Sequence, residues 1–201
     1  MKMKKFFSFA AVAVAVFGMA SCAKLDNPIV VDEPSFPKGD FELVQEVTDL
    51  NEIGSTPFVI VNVAELKAFY GPDNQNLAFG DIAEALKKTN ANIAFKAEAF
   101  NDNYLLRAIT PAGEEYSIWG SPGYLNAQAL ETGWCSFILG LGGDLYGQDI
   151  QNGAVWNIEY VAGQGFAIKN IGTGKYLKDA GNANQDEPTF FSFYTYQEVA
   201  E

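Results

Sequence analysis

The chain has 201 residues, with 13 Lys and Arg against 25 Asp and Glu, two cysteines and no histidine. A net charge of −12 repels phosphate backbones and anionic headgroups, which makes nucleic acid a poor partner. Without histidine, Ser-His-Asp and Cys-His nucleophile systems and every imidazole-containing zinc site are excluded.

The chain begins MKMKKFFSFAAVAVAVFGMASC. Lys2, Lys4 and Lys5 precede an apolar run from Phe6 to Phe17, and small residues lead to Cys22. Residues 1–21 therefore read as a secretory signal, too short to span a membrane. Met19-Ala20-Ser21-Cys22 resembles the lipobox of bacterial lipoproteins, with Met19 where Leu is usual. That resemblance implies a lipidated Cys22 and an exported protein anchored to the cell envelope, with the outer membrane as the expected address. Ordinary cleavage after a small residue, with Cys22 incidental, is the other reading. Loss of the signal removes three lysines and no acid, moving the charge from −12 to −15, an excess that serves solubility. With Cys22 lipidated, Cys135 has no disulfide partner, and its apolar setting (WCSFIL) makes it a small core residue.

Residues 22–40 carry three prolines and mixed charge and read as a lipidated Cys with a flexible tether. Residues 41–201 are enough for one domain with its own core. Phe41 to Val47 reads as a strand, and a helical turn is expected at Thr48 to Ile53. A helix is predicted at Asp81 to Thr89, with Asp81 and Glu84 as a capping box and Ile82, Ala85 and Leu86 on one face. Nearly everything else reads as short strands between glycine-rich turns. The GLGGD stretch at residues 140–144 opens no helix and reads as a tight turn rather than a phosphate loop. Glu114 and Glu115 follow Pro-Ala-Gly and read as a solvated hairpin tip.

A repeat runs through these strands. Phe166-Ala-Ile-Lys-Asn170 matches Phe58-Val-Ile-Val-Asn62 and, more loosely, Tyr104-Leu-Leu-Arg-Ala108. The period of two places the aromatic, the aliphatic and the small or amide residue on one sheet face. Short aromatic strands follow at Lys67 to Gly71, Tyr116 to Gly120 and Lys175 to Asp179. Closing strands start at Phe95, Trp156 and Phe191. Three unequal units result, arguing for a closed, repeat-built all-β fold.

The succession F-x-I-x-N, then G-K-Y-L, then an aromatic closing strand resembles a β-trefoil of the ricin-type lectin kind, from Phe58 to Tyr196. That resemblance implies a six-stranded barrel capped by three hairpins, with a shallow sugar site possible in each unit. The Gln-x-Trp that closes each unit of that family is replaced here by Ile93-Ala-Phe95, Ala154-Val-Trp156 and Thr189-Phe-Phe191. Residues 137–146 also read as a partial fourth copy, and an antiparallel β-sandwich is the alternative fold.

In such lectins an Asp takes sugar hydroxyls and an aromatic stacks on the ring face. The resemblance points to Asp179 first, with Asn182 and Asn184 in the adjoining loop and Asn126 in the middle unit. In the first unit only Asp73 or Asp81 is offered. Trp119 and Trp134 flank loops where a stacking residue belongs, whereas Trp156 alternates with Ile158 and Tyr160 and reads as core. For Asp179 and its loop a plain solvated turn is the competing reading, and for Trp119 and Trp134 it is core packing. Asp144 and Asp149 are too few carboxylates for calcium, so no metal and no cofactor is expected. The expected function is non-catalytic binding of a glycan or polysaccharide. The rival is a protein-interaction or structural envelope module, and an enzyme would need two carboxylates facing each other in one cleft.

Overall fold

The computed structural model describes residues 35–54, 56–71, 78–88, 94–110, 113–114, 117–118, 121–129, 134–139, 153–178 and 183–200, all within the compact unit Ser35–Glu201. The protein is all-β. Its strands pair antiparallel throughout, and the two described helices have four residues each.

Strand β1 (Phe41–Val47) leads to α1 (Leu50–Ile53), as the sequence predicts. Asp49 caps α1, its side chain accepting from the Asn51 N–H. After α1 come β2 (Val59–Asn62), β3 (Lys67–Tyr70), β4 (Ala78–Asp81), α2 (Ile82–Ala85) and β5 (Ala94–Phe100). Next come β6 (Asn103–Ile109), β7 (Ser117–Ile118), β8 (Ser121–Ala129), β9 (Trp134–Leu139) and β10 (Val155–Val161). The chain ends with β11 (Gly165–Asn170), β12 (Tyr176–Leu177), β13 (Ala183–Gln185) and β14 (Phe190–Glu198). The neighbour order is β4-β3-β2-β14-β11-β10-β6-β8-β7, with β1 on β14, β5 on β6, β9 on β8, and β12 between β11 and β13. Phe58, just before β2, forms an isolated antiparallel bridge with Phe95 of β5.

The expected period of two holds in all three opening strands. Phe58 and Ile60, Leu106 and Ala108, and Phe166 and Ile168 lie in one buried cluster, with Tyr104 packed against it. The closing strands add Phe95, Trp156, Phe191 and Phe193. The Phe193 ring stacks on Phe58 at 4.7 Å and on Phe166 at 4.1 Å. Trp156 is fully buried, as its alternation predicts, and its Nε1–H donates to the Leu125 carbonyl at 2.9 Å. A second cluster forms where Phe41, Val59, Val61, Ile82, Ala85, Leu86 and Tyr194 meet.

The helix expected over Asp81 to Thr89 is shorter than predicted. Ile82, Ala85 and Leu86 are buried on one side as expected, but α2 has only four residues and the Asp81 side chain makes no cap bond. Asp81 is held instead as the last residue of β4, paired with Lys67. The Leu86 carbonyl accepts from the N–H groups of Asp40 and Phe41, at 3.0 and 3.1 Å, which ties the helix end to the start of β1. The last stretch of the expected tether also packs: the Phe36 ring meets Tyr194 edge-on at 4.9 Å.

Candidate functional site

Of the residues singled out by sequence, Cys22, Trp119, Asp179 and Asn182 lie outside the described residues, as do Asp73, Asp144 and Asp149. Trp134 opens β9 and Cys135 follows it in the same strand. Asn184 is exposed in β13. Asn126 is 2 % exposed in the middle of β8, so its side chain is closed to a ligand approaching from solvent. Glu114 is exposed at a turn in which the Thr110 N–H donates to the Glu114 carbonyl, and Glu115 lies outside the described residues.

The asparagine that ends the F-x-I-x-N motif has a structural task. Asn170 is fully buried; its Nδ2 donates to the Gly153 carbonyl at 2.6 Å, and its Oδ1 accepts from the Thr173 N–H at 2.9 Å. Asn62 uses Oδ1 in the same way, accepting from the Glu65 N–H at 3.3 Å. In both units the amide fastens the turn after the opening strand. The middle unit has Ala108 at that position and uses the Thr110 hydroxyl instead, which accepts from the Glu114 N–H at 3.2 Å. Within FAIKNIGTGKYLK the motif amide therefore serves its own turn.

A cleft of about 390 Å³ opens between α1 and the β10–β11 hairpin, lined by residues 48–51, Tyr104, residues 158–160 and Phe166. Its construction follows from strand alternation. Along one face of β10, Trp156 is fully buried, Ile158 is partly buried against the core, and Tyr160 is 39 % exposed. Tyr160 pairs across the sheet with Phe166, their rings 5.1 Å apart, so one buried ring supports one accessible ring. On the other wall Leu50 anchors α1 in the core. Asp49 Oδ1 accepts from both the backbone N–H and the Nδ2 of Asn51, at 2.8 and 2.9 Å. The Tyr104 hydroxyl donates to Asn51 Oδ1 at 3.3 Å. An aromatic wall therefore faces a wall of hydrogen-bonding groups already held in place by one another.

By sequence Tyr104 and Tyr160 read as strand aromatics rather than site residues, and Asp49 and Asn51 fall in the helical turn expected at Thr48 to Ile53. One signal for them exists. Tyr104 is the only one of the three aligned aromatics that carries a hydroxyl, and a hydroxyl at a core boundary requires a polar partner. The proximity of Asn51 and Tyr104, by contrast, arises only from the fold.

Other clusters fit a ligand less well. A groove of about 490 Å³ is lined, among the described residues, by Asn62, Val63, Ala64, Gln164, Phe190 and Ser192, none of them charged. A third, of about 340 Å³, shares Thr48 and Asp49 with the cleft and adds Glu46 and Glu52. Arg107, Glu98 and Tyr124 form a part-buried network: Arg107 Nη2 lies 2.5 Å from Glu98 Oε1 and donates to the Tyr124 hydroxyl at 2.9 Å. Burial, and then the Glu98 charge, hold the Tyr124 phenol above its usual range despite the opposing Arg107. That carboxylate is paired with a guanidinium, which makes the network structural. Among the described residues no three metal-ligating side chains come together.

Compared with known proteins, the chain matches no family model and shows no significant similarity to any curated protein.

Proposed function

We propose that the chain is an exported, lipid-anchored envelope protein whose single β-trefoil domain binds carbohydrate without catalysing a reaction. The trefoil reading is supported by the pairing order. Strands β2, β14, β11, β10, β6 and β5 are neighbours in succession, and the Phe58–Phe95 bridge links the last to the first, the connectivity of a six-stranded barrel. One hairpin falls in each unit, β3–β4, β8–β9 and β12–β13. Residue Phe137 stands in β9, the returning strand of a hairpin, which favours three units over four.

The observation that carries the binding reading is the cleft, where the accessible Tyr160 ring faces Asp49 and Asn51. Pyranoses present an apolar C–H face and a rim of hydroxyls, and an aromatic beside carboxylate and amide oxygens matches both. Asp49 serves as a helix cap, and Glu159 alternates to the other face of β10 from Tyr160, so among the described residues of the cleft these two carboxylates are not arranged as a facing pair for glycoside hydrolysis. The export and anchoring reading rests on the N-terminal sequence. Among the described residues no helix is long and apolar enough to cross a membrane.

The test is a glycan-array screen of the full chain in a sugar-free detergent, beside Tyr160→Ala. Saturable binding that the variant loses supports the reading. A folded protein that binds no glycan sinks it. A protein-interaction module without a sugar site is the second reading, favoured by the uncharged groove beside Phe190 and by Val63, an apolar residue 36 % exposed at its edge.

A further inference from the structure

Resting on that carbohydrate-binding reading, we infer that the cleft between α1 and the β10–β11 hairpin is the binding site itself, and that it takes a pyranose free of carboxylate, sulfate or phosphate groups. The hairpins of the three units are not required for it.

Size, shape and charge support this. A volume of about 390 Å³ is at the lower end for small-ligand sites and suits one or two sugar rings. Tyr160 is 39 % exposed and its ring is braced by Phe166, so its stacking face is held in place before a ligand arrives. The Asp49–Asn51–Tyr104 chain of hydrogen bonds fixes the opposite wall before any ligand arrives. Asp49 Oδ1 carries two of these bonds, while Oδ2 has no protein donor among the described residues and is left to accept from a ligand hydroxyl.

Charge decides the class of sugar. Among the described residues the lining includes the Asp49 carboxylate and no Lys or Arg, and the neighbouring groove adds Glu46 and Glu52. A uronic acid or sulfated sugar would bring an anion against carboxylates with no guanidinium or ammonium to receive it. A sugar without such groups meets only acceptors and donors it can satisfy.

The experiment measures equilibrium binding of the full chain, in a sugar-free detergent, to neutral glucan and galactan fragments and to the uronate and sulfated forms of the same backbones. Neutral fragments are expected to bind, and the anionic forms to bind at least about tenfold more weakly at low salt. Tyr160→Ala and Asn51→Ala are each expected to weaken neutral binding about fivefold to tenfold, while Tyr160→Phe, which keeps the ring, stays within about twofold. Circular dichroism and thermal melting establish that each variant is folded. Neutral binding unchanged in both alanine variants would leave the carbohydrate reading standing and overturn this site. Anionic fragments bound as tightly as neutral ones would overturn the sugar class. Binding of no fragment by the folded protein would overturn the reading and the inference together.

Discussion

Phe58 and Phe95 donate a backbone hydrogen bond to each other's carbonyl, at 2.9 and 2.8 Å, and both side chains are buried in the same cluster. Each sits at the margin of its strand, where an amide would ordinarily fray. If the bridge links β2 to β5 as a closed barrel requires, both amides exchange with solvent only through global unfolding. Native-state hydrogen exchange is expected to place them with the slowest amides of β11 and β14. Exchange as fast as that of the Phe41 end of β1 would show an open edge there and remove the main support for the trefoil.

The two motif asparagines predict a ranked pair of stability losses. Asn170→Ala leaves the Thr173 N–H without its partner and removes one of the two donors to the buried Gly153 carbonyl, which keeps the Ala127 N–H, and is expected to cost about 1–3 kcal/mol. Asn62→Ala removes one longer bond, to the Glu65 N–H, and is expected to cost about 0.5–1.5 kcal/mol. Urea denaturation with an unchanged slope checks both. Equal losses would mean that the fully buried amide has no special weight.

The pattern of residues gave the core and hid the site. Phe58, Leu106, Phe166, Trp156 and Phe191 were legible because alternation is local and each strand must bury one face. The end of α2 was not, because it depends on the Leu86 carbonyl accepting from Asp40 and Phe41, a contact between segments far apart in the chain. Asn126 shows the limit of reasoning from resemblance: its position after Tyr124-Leu125 matched a sugar ligand, yet at 2 % exposure it is enclosed in the sheet. The cleft joins α1 to β6 and β10, and no spacing in the sequence announces that Asn51 meets Tyr104.

Gly165 separates two effects that glycine can have at a turn. It begins β11 at φ +111°, and a Cβ there would lie 2.5 Å from the Phe191 carbonyl oxygen. Gly165→Ala therefore meets both backbone strain and a clash with a paired strand, with an expected cost of about 3 kcal/mol or more. Gly174→Ala, at φ +67° with open space around the Cβ, meets strain alone and is expected to cost about 1–2 kcal/mol. Because Gly165 adjoins Phe166, its variant is also expected to weaken glycan binding, whereas the Gly174 variant leaves binding unchanged. Thermal melts and the binding measurement read the two effects separately.

The tyrosines set the alkaline limit of stability. Burial raises the pKa of Tyr124, Tyr194 and Tyr196, with the nearby Glu98 and Glu46 adding to it for the first two. An unfolded tyrosine ionises near pH 10, while these three keep their protons in the fold. Above about pH 10 the folded state therefore binds more protons than the unfolded one, so stability falls as pH rises. Their contribution is complete below the unfolded pKa and is lost as pH rises through the raised folded values. With no histidine in the chain, no imidazole adds a transition between pH 5 and 8. Melting temperature is expected to hold level from about pH 6 to 9 and then drop, with the share of phenolate absorbance that belongs to Tyr124, Tyr194 and Tyr196 appearing together with unfolding rather than before it. Tyr196→Phe, which removes a group shifted by burial alone, is expected to make the alkaline drop shallower. A full complement of phenolate at pH 11 in a still-folded protein would mean that these hydroxyls reach water freely.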